Sequence, residues 1–338
     1  MKTPRHHLRQ INLLFFILLL CTATTFAQRE RILWSKPDAD PLLDVVFSND
    51  GAILALGRED SNTTDLLTAA DGSLIRALDA THNRVNDAVF TLDDQELIVG
   101  TGSPGDTLTL DEWRVSDGVR LLRLGAHTNG THSVSLSSDG QLLLTSGNES
   151  RELKKWQVPG LNLIATFTNN DPDTGLPPEV DDSEFSPDGQ LIGNSDIFGV
   201  KLRNAADGSL ILKIANTEIV SIAFSPDGTL IAGASPNERA VKLWSVPDGT
   251  LVRTLPLTTD FQFPRVAFTP NGLFVVAVYG SSNTAGAIQF WRVEDGRSVA
   301  IFAKPNHVHD IAFSPEPGVF AYTQYSGGVT VSFVRFIR

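Results

Sequence analysis

The chain has 338 residues, with 39 acidic against 27 basic residues. The formal charge of −12 argues against a nucleic-acid-binding protein, which needs a basic surface for phosphate. Its hydrophobic fraction of 41% excludes a disordered chain, and its single cysteine, Cys21, excludes an intramolecular disulfide framework and a zinc site built from cysteine clusters. The 27 glycines and 18 prolines are typical of an all-β protein with many short connections.

Residues 1–27 have the pattern of an export signal. Basic residues at the start are followed by an apolar run from Ile11 to Leu20 and by Thr25-Phe26-Ala27, which has small residues where a signal peptidase cleaves. The run is shorter than the ~20 residues that a membrane-spanning helix needs. Retention as an anchor and lipidation at Cys21 are the alternatives. We predict cleavage, no stable membrane anchor afterwards, and a periplasmic or secreted protein of a bacterial envelope, since a cysteine-free domain does not depend on an oxidising compartment.

One pattern recurs seven times along the rest of the chain. Each copy has an apolar strand, a polar turn and a second apolar strand, as in Ile222–Ala234, which reads IAFSPDGTLIAGA. The last residue of the first strand recurs about every 44 residues, which is the period of a propeller blade. These anchor residues are Phe47, Phe90, Leu136, Phe185, Phe224, Phe268 and Phe313. The repeat predicts an all-β, seven-bladed β-propeller of four-stranded antiparallel blades.

The two ends of the chain predict how the ring closes. The seventh repeat has only three predicted strands, whereas Ile32–Ser35 has strand composition and precedes the first repeat. An unpaired edge strand exposes its backbone N–H and C=O groups. We therefore predict that the N-terminal segment completes the last blade by pairing with Val329–Arg335, and that residues 28–338 form one domain.

The repeats resemble those of the WD-repeat β-propeller family. The resemblance covers nearly all of residues 31–338. It rests on the Phe-Ser-Pro-Asp-Gly turn, as at Phe224–Gly228, and on third strands such as Val241–Trp244, VKLW. It implies a propeller fold and a face, at one end of the channel, that binds other proteins.

The chain also departs from this family. No tryptophan of the third strands is followed by aspartate, and the first and fourth blades have Leu67 and Arg203 in its place. The family's histidine before the first strand survives best at His127, with His82 as a second match. The hydrogen-bond network that the resemblance implies is therefore incomplete, and we expect blade packing to depend on apolar faces instead.

Few patterns indicate chemistry. No G-x-S-x-G elbow, P-loop or H-E-x-x-H motif is present. His307 and His309 flank one residue and could bind a metal from one face of a strand. Asp171 and Asp173, in the longest insertion, offer the oxygen ligands that calcium prefers. A polar surface connection is the simpler interpretation of both, and we expect no cofactor, no catalytic residue and no metal.

Acidic residues recur three positions before the anchors. The residues there are Asp44, Asp87, Ser133, Asp182, Ser221, Arg265 and Asp310. Because the innermost strands of a propeller surround its channel, these side chains are expected to gather at one channel mouth. One hypothesis is a partner-binding surface, formed by the four aspartates with Arg265, for a basic peptide, a protein patch or a cation. The alternative is that each aspartate caps the start of its strand and points to water.

Two classes of function follow. The first is an exported, non-enzymatic scaffold that binds a protein or peptide, with a basic patch, through the channel-mouth face. The second is a propeller enzyme of the lactonase-like hydrolase type, with a metal near the channel axis held by the four aspartates and His309. Fold alone does not decide between them.

Overall fold

The computed structural model describes residues 29–335, with gaps at 39, 62, 80–83, 103–104, 106–108, 148–149, 247, 259–261, 282–283 and 326. The predicted export signal at 1–27 and His82 lie outside the described residues. Within the described ranges, no helix is long and apolar enough to cross a membrane.

The described residues contain seven antiparallel sheets of four strands each. The chain begins with β1 (Arg31–Lys36). Blade one consists of β2 (Leu42–Phe47), β3 (Ile53–Arg58), β4 (Thr63–Thr68) and β5 (Leu74–Asp79). Blade two consists of β6 (Val85–Phe90), β7 (Glu96–Thr101), β8 (Leu110–Arg114) and β9 (Arg120–Leu124). Blade three consists of β10 (Thr131–Leu136), β11 (Leu142–Gly147), β12 (Ser150–Gln157) and β13 (Asn162–Thr168).

The remaining four blades follow in chain order. Blade four consists of β14 (Asp182–Phe185), β15 (Leu191–Asp196), β16 (Gly199–Asn204) and β17 (Leu210–Lys213). Blade five consists of β18 (Ser221–Phe224), β19 (Leu230–Ser235), β20 (Ala240–Ser245) and β21 (Leu251–Pro256). Blade six consists of β22 (Gln262–Phe268), β23 (Phe274–Ser281), β24 (Thr284–Arg292) and β25 (Ser298–Lys304). Blade seven consists of β26 (Val308–Phe313), β27 (Val319–Gln324), β28 (Gly328–Phe333) and β1.

The repeated Ser-Pro-Asp-Gly turn is held by its own side chains. In blade five, Ser225 Oγ donates to Asp227 Oδ1 at 2.6 Å and accepts from the backbone N–H of Leu230 at 2.9 Å. Gly228 follows with φ +69°, a conformation that a side chain disfavours. The hydrogen bond from Ser225 is the main cause that lowers the pKa of Asp227. These turn aspartates are therefore structural.

The N-terminal strand closes the ring, and this prediction is confirmed. β1 pairs with β28 in an antiparallel register that runs from Arg31 opposite Phe333 to Lys36 opposite Val329. Trp34 Nε1 donates to the carbonyl of Ala69 in blade one at 2.7 Å. The first segment of the chain therefore joins blade seven to blade one.

Apolar side chains fill the spaces between neighbouring blades. One such layer contains Val241 and Leu243 of β20 together with Val275 and Trp291 of blade six, all of them buried. Similar shared layers join the other blades. Because burial of apolar area stabilises a fold by ~25 cal/mol per Å², these layers are the main attraction between blades.

Polar networks add to the apolar packing, and blade three contains one of them. Trp156 Nε1 donates to Thr145 Oγ1 at 2.9 Å, and that hydroxyl lies 2.8 Å from His127 Nε2. Ser150 Oγ lies 2.9 Å from the other ring nitrogen of His127. Burial lowers the pKa of His127 to about 3, so the imidazole is neutral and bonded at both nitrogens. The histidine network in this blade therefore joins Trp156, Thr145, His127 and Ser150.

Blade four replaces the tryptophan with a buried polar network around Arg203. The guanidinium of Arg203 donates to Asn194 Oδ1 at 3.0 Å and to Asn169 Oδ1 at 3.1 Å. Lys201, also fully buried, forms an ion pair with Asp196. Each buried charge has hydrogen-bond partners, as its desolvation requires. Apolar faces pack this blade against its neighbours, as expected, and the buried polar network adds to them.

Candidate functional site

The first strands of the seven blades surround the central channel. β2, β6, β10, β14, β18, β22 and β26 contact one another in sequence, and β26 contacts β2 to complete the circle. The residues three positions before the anchors lie on these strands and form what we call the inner ring. Its members are Asp44, Asp87, Ser133, Asp182, Ser221, Arg265 and Asp310.

Three aspartates of the inner ring each connect their own blade to the following blade. In each, one carboxylate oxygen accepts a hydrogen bond from a backbone N–H on the first strand of the following blade. The pairs are Asp87 with Val134 (2.8 Å), Asp182 with Ile222 (3.0 Å) and Asp310 with Val45 (3.0 Å). The other oxygen of Asp87 and of Asp182 caps the start of its own strand, at 2.9 and 2.8 Å. The capping interpretation is thus correct in part, but these side chains lie in the channel wall instead of pointing to open water.

Asp44 is the exception within the inner ring. Its side chain is 6% exposed, and its Oδ2 has no hydrogen-bond donor. Burial, followed by the charges of Asp87 and Asp310, raises the pKa of Asp44 well above its usual value. With a proton, Asp44 donates a hydrogen bond to the Asp310 carboxylate. The ionisation of each carboxyl group therefore opposes that of the other.

Arg265 is the only cation of the inner ring. Burial lowers its pKa, but the charges of Asp310, Asp182, Asp87 and Asp44 outweigh that effect and raise it. Each of these aspartates thus lies within electrostatic reach of one guanidinium. Arg265 is the counter-charge on which the acidic channel wall depends.

Stability is expected to fall as pH rises from about 7 to 9, a range that lies above the one in which the buried neutral histidines act in the opposite direction. Burial raises the pKa of Asp87 to about 7 and that of Glu184, which accepts from the backbone N–H of Phe224 at 2.9 Å, to about 8. A carboxyl whose pKa is raised on folding stabilises the fold below its unfolded pKa, and this contribution is lost as pH rises through the folded pKa. We expect a loss of about 2 kcal/mol in the free energy of unfolding, measured by urea denaturation at both pH values. Equal free energies of unfolding at the two pH values would contradict the raised pKa values of Asp87 and Glu184.

A second ring lies one position before the inner ring and was not foreseen from the sequence. We call it the mouth ring, and its members are Leu43, Asn86, His132, Asp181, Val220, Pro264 and His309. All seven line one cavity of about 460 Å³ at an end of the channel. In β2, β6, β10 and β26 the pairing skips this residue, which marks a β-bulge. A bulge re-aims its unpaired side chain, which explains why two successive residues face the channel.

The two mouth-ring histidines have assigned tautomers. His132 Nδ1 lies 2.7 Å from the carbonyl of Asp181, and His309 Nδ1 lies 2.7 Å from the carbonyl of Leu43. A carbonyl only accepts, so each Nδ1 carries the hydrogen and each Nε2 keeps its lone pair. Burial lowers the pKa of His132 to about 4 and that of His309 to about 3. Both imidazoles are therefore neutral hydrogen-bond acceptors.

His307 stacks beside His309, with ring centroids 5.6 Å apart. It is 5% exposed and lines the same cavity, and its Nε2 is buried without a partner. Among the described residues, no group of three or more His, Cys, Asp or Glu could hold a metal ion. The predicted histidine pair is thus brought together, but without further ligands around it.

Acidic side chains dominate the edge of the mouth cavity. Glu59, Glu179, Asp181 and Glu218 line it, against the guanidiniums of Arg84 and Arg265. Burial, and next the charge of Glu218, raises the pKa of Asp181 to about 7, and its Oδ2 is buried without a partner. Their position directly before a first strand or after a second strand is the sequence signal that could have identified these residues.

The proposed calcium ligands Asp171 and Asp173 lie away from the channel. Asp171 Oδ1 accepts from the backbone N–H of Thr174 at 3.0 Å, which closes the loop on itself. Asp171 Oδ2 pairs with Lys213 Nζ at 2.8 Å, and Asp173 pairs with the same ammonium at 2.5 Å. One lysine thus pairs with both carboxylates and occupies the space between them, which favours the interpretation as a loop over that of a calcium site.

The closed circle of seven four-stranded blades defines a seven-bladed β-propeller. The family model for the "WD domain, G-beta repeat" matches residues 118–157 and 207–245, which contain the third strands that end at Trp156 and Trp244. Two stretches of the chain thus match the WD repeat, and the chain has the fold of the WD-repeat β-propellers.

Curated relatives carry the same repeat in longer proteins. The chain is 23% identical over 304 residues to the transcriptional corepressor LEUNIG_HOMOLOG of Arabidopsis thaliana, which is 88% of this chain and 36% of that protein. It is 28% identical over 137 residues to an uncharacterized WD repeat-containing protein of Synechocystis, 40% of this chain and 38% of that one. It is 28% identical over 206 residues to WD repeat and SOCS box-containing protein 1 of Takifugu rubripes, 60% and 43% of the two chains. This chain therefore spans well under half the length of these relatives.

Proposed function

We propose that this protein is an exported, non-enzymatic scaffold that binds a protein or peptide partner at the mouth of its channel, in the periplasm or outside the cell. The observation that carries the proposal is the mouth cavity of about 460 Å³, to which every blade contributes a residue. Its WD-repeat relatives support a scaffold that binds proteins. A concave site with convergent polar groups is the usual place for recognition.

The charge of the cavity favours a basic partner. Four carboxylates line it against two guanidiniums, and one of these, on Arg265, is already balanced by the inner ring. Of the residues proposed from the sequence, Arg265 lines the mouth cavity, whereas Asp87 and Asp182 line a separate cavity of about 400 Å³. Direct binding through Asp44, Asp87, Asp182 and Asp310 stays a prediction.

The metal-dependent hydrolase has no comparable support. Asp87, Asp182 and Asp310 accept hydrogen bonds from the neighbouring blades, and the Arg265 guanidinium lies within reach of all of them. His309 is held by a backbone carbonyl on the cavity side. These positions serve the connection between blades, so we favour the scaffold.

Export predicts a change in mass. The basic start, the apolar run and the Thr25-Phe26-Ala27 site lead us to expect cleavage before Gln28. Intact-mass measurement of protein recovered from an exporting host should show the loss of residues 1–27. Full-length protein in the membrane fraction would contradict export with cleavage.

Partner contact is expected at the mouth and not at the outer strands. A photo-crosslinking amino acid placed at Tyr325, which lines the cavity, should capture a partner in the exporting host, while the same group at the exposed Ile211 of β17 should not. Because exposed charges are screened over ~8 Å at physiological salt, capture should weaken as salt rises. Equal capture from Ile211, or no effect of salt, would place the contact elsewhere.

A further inference from the structure

We propose that the mouth cavity binds one donor-rich organic cation, a guanidinium or an alkylammonium group, against Asp181. This inference rests on the proposed function, because it names the chemistry that the scaffold would recognise there. The group could be a side chain of a bound protein or a free amine, and both sources share the same recognition.

The hydrogen-bonding groups of the cavity are mostly acceptors. His132 and His309 each present a neutral Nε2, because their Nδ1 hydrogens are held by backbone carbonyls. The amide hydrogens of Asn86 are used on the carbonyls of Gly102 (3.1 Å) and Thr131 (2.9 Å). A ligand that fits such a lining must bring donors, as guanidinium and ammonium groups do.

Polar atoms of this lining lack a partner. Asp181 Oδ2 is buried with no hydrogen-bond donor, and Nε2 of His307, a residue that is 5% exposed, is buried without a hydrogen-bond partner. Buried polar groups in native proteins are nearly always hydrogen-bonded, so these atoms point to a missing ligand. Because His307 is not acidic, its unpaired nitrogen is independent of the carboxylate cluster.

The electrostatic environment of Asp181 requires a cation. Glu218, Asp196, Asp182 and Glu179 all act on its carboxylate in the same, unfavourable direction. The nearest imidazole, His132, donates to the backbone carbonyl of Asp181 and stays neutral. Asp196 is paired with Lys201, which leaves Glu179, Asp181 and Glu218 as the uncompensated acidic side of the cavity. An anion would have to approach this side, so a cation is the ligand that the charges favour.

Binding should therefore be linked to protonation of Asp181. The cation prefers the ionised carboxylate, whose pKa is about 7 in the free protein. As pH falls from 8 to 6, the ionised fraction of such a group falls roughly tenfold, and the affinity should fall by the same factor.

The test is a calorimetric titration at pH 8 with four probes. These are the peptide acetyl-Gly-Arg-Gly-amide, its neutral citrulline counterpart, agmatine and butylamine. We expect the arginine peptide to bind, and the citrulline peptide to bind about tenfold more weakly because it lacks the charge. A peptide that binds more tightly than agmatine or butylamine indicates a side chain of a partner protein, and the reverse order indicates a free amine.

Two variants make the test specific. Asp181→Asn should weaken the binding of the arginine peptide about tenfold and should remove the pH dependence of its affinity. Glu294→Gln removes one charge at an exposed turn of blade six. It should change neither the affinity for the arginine peptide nor the pH dependence of that affinity. Equal binding of the citrulline peptide, or unchanged binding by Asp181→Asn with a native melting curve, would overturn the inference. If crosslinking at Tyr325 still succeeds in that case, the proposed function survives; if crosslinking fails while the peptide binds, the scaffold is refuted instead.

Discussion

Deletion of residues 28–36 is expected to lower the melting temperature strongly and to cause aggregation, because blade seven would lose its outer strand. The deletion removes the pairing of β1 with β28 and the hydrogen bond from Trp34 to Ala69. It also removes Glu30, which binds Lys304 and accepts from Ser332 Oγ at 2.7 Å. With ~1 kcal/mol for each net hydrogen bond and ~2 kcal/mol for the tryptophan, the loss is of order 5 kcal/mol. Calorimetry measures the melting temperature, and light scattering measures the aggregation.

The control for this deletion is a chain that begins at Arg29. It keeps β1 and should melt like the full chain. Ile32→Ser is a second control, since that side chain of β1 is 57% exposed and its loss should leave the melting temperature nearly unchanged. A deletion variant that melts like either control would show that the strand contributes little to closure.

Arg265→Met is expected to destabilise the protein by about 3–5 kcal/mol at pH 8 and by much less at pH 5. The substitution removes the only cation of the inner ring and leaves Asp44, Asp87, Asp182 and Asp310 facing one another. The pKa values of Asp44, Asp87 and Asp310, already raised by burial, must then rise further, so that protonation at pH 5 relieves the repulsion and stability returns. Urea denaturation at both pH values gives the difference in free energy of unfolding between the variant and the original protein.

Two further variants separate charge from packing. Arg297→Met changes the same residue type on the exposed surface of blade six and should have little effect at either pH. The double variant Arg265→Met with Asp87→Asn should recover part of the lost stability at pH 8, because the amide oxygen still accepts from Val134 without adding charge. A loss that is equal at both pH values would mean that Arg265 acts through its packing alone.

Blade four shows where reasoning from the sequence fails. Arg203 stands at the position of the expected tryptophan, and sequence alone indicates only that a buttress is missing. The structure supplies another one, since Asn169 arrives from the insertion after β13 and accepts from both Arg203 and Lys201. The partners are more than thirty residues apart in sequence, and no local pattern relates them.

The sequence by itself determined the seven blades, their turns and the strand that closes the ring. Each of these depends on short-range periodicity: the anchor at Phe224, the turn at Asp227 and the spare strand around Trp34 are each recognisable within a few residues. The register of the inner ring was likewise visible, because it lies at a constant distance from the anchor. The role of the inner ring was not visible in the sequence.

Only the tertiary structure decided that Asp310 binds the N–H of Val45, 265 residues away, and that Asp44 lies within electrostatic reach of Asp310. It also placed the mouth ring, because a bulge that turns His309 into the channel depends on the pairing of β26 with β27. Contacts between blades follow from the curvature and closure of the whole ring, which no single repeat encodes. The candidate site is therefore a product of closure, while the blades that form it are a product of local sequence.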